Sequence, residues 1–137
     1  MKKRGFGVGK WNGYGGKIED DESIKAGAAR ELEEESSLRV KEEDLFQVAI
    51  INFYFGDVFV FECHVFVTYI WNGEPIETEE MRPQWFSQSV LPFSEMWVGD
   101  KHYLPLILNG KKIKADCYFN SDGNLLKKFL WDETEFV

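Results

Sequence analysis

Residues 15–22 read Gly-Gly-Lys-Ile-Glu-Asp-Asp-Glu, and residues 30–38 read Arg-Glu-Leu-Glu-Glu-Glu-Ser-Ser-Leu. This glycine loop followed by an acidic helix decides how the rest of the chain is read. Asp20 or Asp21 is expected to cap the helix and to leave its first turn acidic, as the helix dipole prefers. Ile24, Ala28 and Leu32 recur at four-residue spacing and predict a buried stripe. Glu31, Glu34 and Glu35 stand at i, i+3 and i+4, which places them together on another face. Like charges so close repel one another. Clustered carboxylates are what a hard divalent cation needs, and Mg²⁺ takes oxygen ligands together with substrate phosphate. A bare run of glutamates is more often a solvated face. The glycine loop at a fixed distance upstream shifts the balance toward a metal site.

The length of 137 residues suits one domain with a real core. A hydrophobic share of 44% is that of a folded rather than a disordered chain. The net charge of −8 argues against binding long nucleic acid through a broad basic surface. It does not exclude a nucleotide, because a bound metal reverses the local sign. Cys63 and Cys117 are too few for a disulfide framework and are expected as buried, reduced thiols in a cytosolic-type compartment. Met1 to Arg4 is followed by glycine rather than an apolar stretch, so no signal peptide is expected. The most apolar run, residues 58–71, is interrupted by Glu62 and His64 and is too short to span a bilayer.

Taken in order, the chain opens on a loop in which Gly5, Gly7, Gly9, Gly13, Gly15 and Gly16 permit close backbone approach to phosphate or metal. Phe6, Trp11 and Tyr14 can anchor it. Lys2, Lys3, Arg4, Lys10 and Lys17 form the one basic patch, suited to a polyphosphate or simply solvated. Residues 48–55 predict a strand, Gly56-Asp57 a turn, and residues 58–71 a second strand or bent pair. Asn72-Gly73 is a tight turn. A loop over residues 78–83 leads to a short strand at Gln84-Trp85-Phe86. A second helix is expected from about Lys101 to Leu108, stopped by Gly110, with Pro105 awkward outside the first turn. Terminal strands over residues 111–119 and 125–131 are joined by the turn Asn120-Ser121-Asp122-Gly123. The order of elements suggests a mixed sheet between helices.

Gly16, Glu22, Arg30, Glu31, Leu32, Glu34, Glu35 and Leu38 all fall in register with the Nudix box. That box is Gly, five residues, Glu, seven residues, Arg-Glu, an aliphatic, any residue, Glu-Glu, any residue, Gly, an aliphatic. Ser37 stands where the box has Gly. A serine in the left-handed position that ends a helix is expected to cost roughly 1 kcal/mol, touching stability rather than chemistry. Beyond the box, the segments KKRGFG, WNGYGGK, ECHVFV, EMRPQWF and FSEMW resemble the eukaryotic MutT homologues of this family, which hydrolyse oxidised purine nucleoside triphosphates.

The resemblance implies an α/β (α+β) Nudix fold, a mixed sheet sandwiched between helices, in a single domain over residues 1–137. It also implies that the family's N-terminal strand is lacking, since the family carries that strand before the position of Met1. The implied reaction is attack of water on a diphosphate of an 8-oxo-dGTP-type substrate, with Mg²⁺ or, in its place, Mn²⁺. The products are the nucleoside monophosphate and pyrophosphate. Carried over by position, Glu31, Glu34 and Glu35 are metal-site carboxylates, with Glu35 the group that activates water and Arg30 the group that orients them. The Gly15 carbonyl and Glu80 complete the metal shell. Lys2 and Lys17 lie with the substrate. Phe6, Asn12, Phe53, Phe55, Phe61, Met81 and Trp97 map to the base pocket, Trp97 as the stacking residue and Asn12 as a base-edge partner. Without the resemblance most of these aromatics read as core. Gly99-Asp100 stands where the family has two aspartates, which is expected to narrow the range of oxidised purines that Asp100 accepts.

The implied partner is a small-molecule nucleotide, not a nucleic-acid polymer or a membrane. A monomer is expected, with edge-strand self-association as the alternative state. The location implied is cytoplasmic, with mitochondrial and nuclear nucleotide pools left open. Two other functions stay open: a Nudix pyrophosphohydrolase of other modified nucleotides, and a binding module whose activity is lost with the missing strand.

Overall fold

The computed structural model describes residues 1–5 and 7–136. Its chain gathers into two units, Met1–Phe46 with Thr68–Trp97, and Gln47–Val67 with Val98–Val137. The first holds helix α1 (Ile24–Ser36) and most of the irregular backbone. The second holds nearly all of the four strands β1 (Phe46–Phe55), β2 (Val58–Val67), β3 (Ile113–Phe119) and β4 (Leu126–Glu133), with helix α2 (Asp100–Leu108). The expected mixed α+β architecture is borne out: among the described residues there are two α-helices and a four-stranded sheet in the order β2-β1-β3-β4.

β1 and β3 run parallel, from Ala49 against Ile113 to Phe55 against Phe119. β3 and β4 run antiparallel, from Ile113 against Glu133 to Phe119 against Leu126, with a register shift at Tyr118/Phe119. Alternation along β3 buries Ile113, Ala115, Cys117 and Phe119. Their parallel partners include Ala49, Ile51 and Phe53, also buried, so the two central strands supply one apolar face. Phe53 stacks with Phe61 at 4.6 Å between ring centroids and with Phe119 at 6.0 Å. On the opposite face Asn52 bonds to Asp116 at 3.1 Å, and Tyr54 stacks on Tyr118 at 4.7 Å. Gly56, at φ 59°, makes the expected turn between β1 and β2.

The helices depart from their sequence expectations in instructive ways. α1 is capped by Ser23, whose hydroxyl accepts from the Ala26 N–H at 3.1 Å, not by Asp20 or Asp21, and its first turn carries no acid. Glu22 stands just before that cap, outside the helix, and its carboxylate accepts from the Glu19 N–H at 2.8 Å and from Arg30 within the helix. The stripe of Ile24, Ala28 and Leu32 is not the buried face: Ile24 is exposed, and the buried positions are Gly27, Glu35 and Ser36. Ser37 does adopt the left-handed conformation, at φ 68°. In α2, Pro105 lies inside the helix rather than in its first turn. Gly110 stops that helix at φ 87°. Residues 84–86 form no strand, and β2 ends at Val67, short of Trp71. Both cysteines are free thiols, Cys117 buried and Cys63 half-buried.

Candidate active site

The first unit encloses a hollow of about 560 Å³ whose walls include Gly15, Gly16, Glu31, Glu34, Glu35 and Glu80, all of the anticipated metal-site residues. Lys2, Arg4, Thr78 and Glu79 complete it. α1 supplies three of the glutamates from consecutive turns, as their spacing requires.

Arg30 is the organising cation. Its fork holds Glu22 through Nη2 at 2.7 Å and Nε at 3.1 Å, while Nη1 donates to Glu31 at 3.0 Å and Glu34 at 3.1 Å. Nη2 also donates to the Lys17 carbonyl at 3.0 Å, which ties the glycine loop to the helix. Arg30 therefore bonds to Glu22, Glu31 and Glu34 at once. Its bond, with that of the Glu19 N–H, holds Glu22 below the usual carboxylate range, and the acids in turn raise the guanidinium. Glu22 is the partner that sequence reading left out of the site. Its signal was its fixed place in the box, eight residues before Arg30.

At Gly16 the backbone passes directly against the Glu31 carboxylate, so a side chain there would push that group aside. A Cβ there would lie 2.4–2.6 Å from the three carboxylate atoms of Glu31. Gly27 plays a lesser version of the same part, since a Cβ would stand 3.0 Å from Glu22 Oε1.

Glu35 is the buried acid, 7% exposed. Burial pushes its carboxyl up to about 7; Glu31 and Glu80 add to the rise, while a main-chain hydrogen bond from Gly15 and the charge of Lys2 oppose it. Glu80 reaches the hollow from a loop that Thr78 fastens to α1. The Thr78 hydroxyl donates to the Glu35 carbonyl at 3.0 Å and accepts from the N–H groups of Glu80 at 3.3 Å and Met81 at 3.2 Å. No sequence pattern singled out Thr78. The N-terminal segment braces the same loop: Lys2 bridges Met81, and the Lys3 N–H donates to the Glu80 carbonyl at 2.8 Å.

The glutamates share the hollow without closing on one point; among the described residues no three His, Cys, Asp or Glu side chains stand together as a ready metal cage. Arg30 draws Glu31 and Glu34, and Arg4 draws Glu80 at 2.9 Å. The donor set nevertheless fits a hard cation, being all oxygen, and the glycine cradle at Gly16 leaves room that a side chain would fill.

The anticipated base-pocket residues divide between the units. In the first, Asn12 and Met81 line a smaller hollow of about 170 Å³ with Trp11, over which the Arg82 guanidinium sits at 4.8 Å. Trp97 is half-buried in the same unit, outside that lining. Lys17 meets the site through its carbonyl, and its residue is exposed. In the second, Phe53 is buried, Phe61 is 41% exposed, and the Phe55 ring packs where a Cβ on Gly123 would fall, at 2.6 Å. Asp100 is buried and accepts a hydrogen bond from the Tyr103 hydroxyl. Burial and that carboxylate raise the phenol well above its usual range. Gly99 faces Phe119, whose Cζ a Cβ would meet at 3.1 Å. Phe6 lies outside the described residues.

The NUDIX domain profile matches residues 1–107. The chain belongs to the Nudix family. Two relatives are named oxidized purine nucleoside triphosphate hydrolase. The mouse protein is 42% identical over 99% of this chain and 86% of its own length. The zebrafish protein, Danio rerio, is 44% identical over 98% of this chain and 85% of its own. Among solved structures, a MutT protein of Bacillus halodurans superposes with a TM-score of 0.76 at 24% identity, covering 90% of this chain and 83% of that one. That last likeness bears out the Nudix fold. No helix among the described residues is long and apolar enough to cross a membrane.

Proposed function

We propose that this Nudix chain hydrolyses oxidised purine nucleoside triphosphates, of the 8-oxo-dGTP type, to the monophosphate and pyrophosphate, and so cleanses the cytoplasmic nucleotide pool of damaged DNA precursors. The observation that carries the reading is the joining of Glu31, Glu34, Glu35 and Glu80 with Gly15 and Gly16 in one hollow, under the control of Arg30. The identity with two hydrolases of that name, spread over nearly the whole chain, supports the substrate class and the assignment of residues 1–137 to one functional domain.

Magnesium, with manganese as a substitute, would be held by Glu31, Glu34, Glu35, Glu80 and the Gly15 carbonyl. Once bound, such an ion neutralises phosphate charge and lowers the pKa of water. The chain's own residues do the rest. Arg30 sets the direction in which Glu31 and Glu34 point. Glu35, buried and partly desolvated, takes the proton of the attacking water. Lys2 and Arg4 face the polyphosphate, and Lys17 holds its end of the loop. Asn12, Met81 and Trp97 are the residues of the first unit assigned to the base.

The test is pyrophosphate release from a panel of triphosphates with MgCl₂. The expected result is efficient turnover of 8-oxo-dGTP and slower turnover of dGTP. Release from other modified nucleotides but not from oxidised purines moves the assignment elsewhere within Nudix chemistry. Binding without release from any of them refutes the enzyme.

A further inference from the structure

Two guanidinium groups meet the carboxylates of the hollow, and they do so differently. The Arg30 side chain is 24% exposed and is shared among several acids. The Arg4 side chain is 59% exposed and makes one close pair, with Glu80 at 2.9 Å, Glu79 standing off at 3.8 Å. The main chain brings Arg4 there. Lys2 bridges Met81, the Lys3 N–H donates to the Glu80 carbonyl at 2.8 Å, and the Arg82 N–H donates to the Met1 carbonyl at 2.8 Å. Arg4 thus starts from a braced backbone and ends in a solvated pair on the rim of the hollow.

An exposed ion pair contributes little in water and is readily exchanged. A doubly charged ion among the other glutamates attracts Glu80 more strongly than a single, delocalised positive charge does. A guanidinium so released keeps its position and its planar fork, which matches phosphate oxygens bidentately. We propose that Arg4 is an exchangeable counter-ion: it neutralises Glu80 before a divalent cation enters, surrenders that carboxylate to the cation, and then turns to the polyphosphate. Arg4 is in this sense a positioning residue that couples cation entry to phosphate binding. The proposal rests on the reading of the hollow as a cation site.

The experiment uses the whole chain and two readouts other than turnover: Mn²⁺ affinity by electron paramagnetic resonance without nucleotide, and pyrophosphate affinity by calorimetry at saturating Mn²⁺. Arg4→Gln is expected to bind Mn²⁺ about threefold more tightly, because a competitor is gone. It is expected to bind pyrophosphate about tenfold more weakly, because a charged donor is gone. Arg4→Lys keeps the competition for Glu80 but regains only part of the pyrophosphate affinity. In a Glu80→Gln background, the Mn²⁺ gain from Arg4→Gln disappears. Unchanged or weaker Mn²⁺ binding by Arg4→Gln, unchanged pyrophosphate binding, or a gain that persists without Glu80 overturns the exchange. If Glu35→Gln and Glu80→Gln leave Mn²⁺ binding intact, the cation reading of the hollow falls, and the exchange falls with it. If they weaken it while Arg4→Gln changes nothing, only the exchange is overturned.

Discussion

The hollow of the first unit and the sheet of the second are held by opposite means. Around the hollow, the large side chains are charged, and their order comes from hydrogen bonds that Arg30 and Thr78 distribute. In the sheet, order comes from register: Phe53, Cys117 and Phe119 are buried because alternation on paired strands sends them to one face. A polar cluster of the first kind contributes little net stability, since its desolvation offsets its attraction. An apolar layer of the second kind contributes most of it. Substitutions in the two places should therefore separate turnover from folding.

The sharpest cut is Glu35→Gln. The replacement keeps shape and removes the proton acceptor. Turnover of 8-oxo-dGTP is expected to fall by about a thousandfold or more, on the scale seen when a charge-stabilising catalytic group is lost. The melting temperature should hold or rise, because a buried acid has become neutral. A folded mutant that turns over normally would remove Glu35 from the chemistry and erase the contrast between the units.

Phe53→Ala tests the other side. Phe53 stacks with both Phe61 and Phe119, so truncation should destabilise the fold by about 3–5 kcal/mol. Urea unfolding measures this. If stability barely changes while KM for the oxidised nucleotide rises, Phe53 belongs to the base site rather than to the core.

Gly16→Ala asks whether the hollow is as exacting as its distances suggest. The added methyl would overlap the Glu31 carboxylate, a flexible group that can swing away. Stability should change little, but a misplacement of that size costs about a hundredfold in rate where geometry matters. Equal kcat in the mutant would show that Glu31 need not stay where Arg30 holds it.

These outcomes bear on how far the sequence could be read. The box spacing placed Glu31, Glu34 and Glu35 on one helix and Arg30 beside them, because helical geometry turns spacing directly into proximity. The strands were legible from their β-branched and aromatic composition and the turns that bound them. What escaped was whatever depends on a partner far along the chain. Helical periodicity proposed Ile24, Ala28 and Leu32 for burial, yet the helix buries Glu35 and Ser36, because the hollow and the Thr78 loop lie on that side. The aspartates looked like the caps, yet Ser23 takes that place, directly before Ile24, where the helix begins. Gln84-Trp85-Phe86 had strand composition but pairs with no strand. Thr78 carried no local signal at all.

The smallest effect returns to the sheet, where the interior should resist ionisation. Burial pushes the Cys63 thiol up to about 11, and Asp100 adds to the rise. Burial, with Asp116 and Asp100, pushes Cys117 up to about 12. A thiol near 9 in the unfolded chain then loses its proton before the folded one does. Between those values the folded state binds more protons, so stability falls as pH rises. The loss is absent below pH 9, runs to about 11 for Cys63, and continues to about 12 for Cys117. Between pH 8 and pH 10 each thiol should remove roughly 1 kcal/mol. Tyr103 shifts in the same direction, so the total slope does not isolate the cysteines. Cys63→Ala does, by comparison of its urea midpoints with those of the unmodified chain under reducing conditions. Its stability should decline less steeply from pH 8 to pH 10, whatever cavity the substitution leaves at both. Identical slopes would mean that Cys63 ionises as freely in the fold as out of it, and that the sheet interior at β2 is wetter than its packing implies.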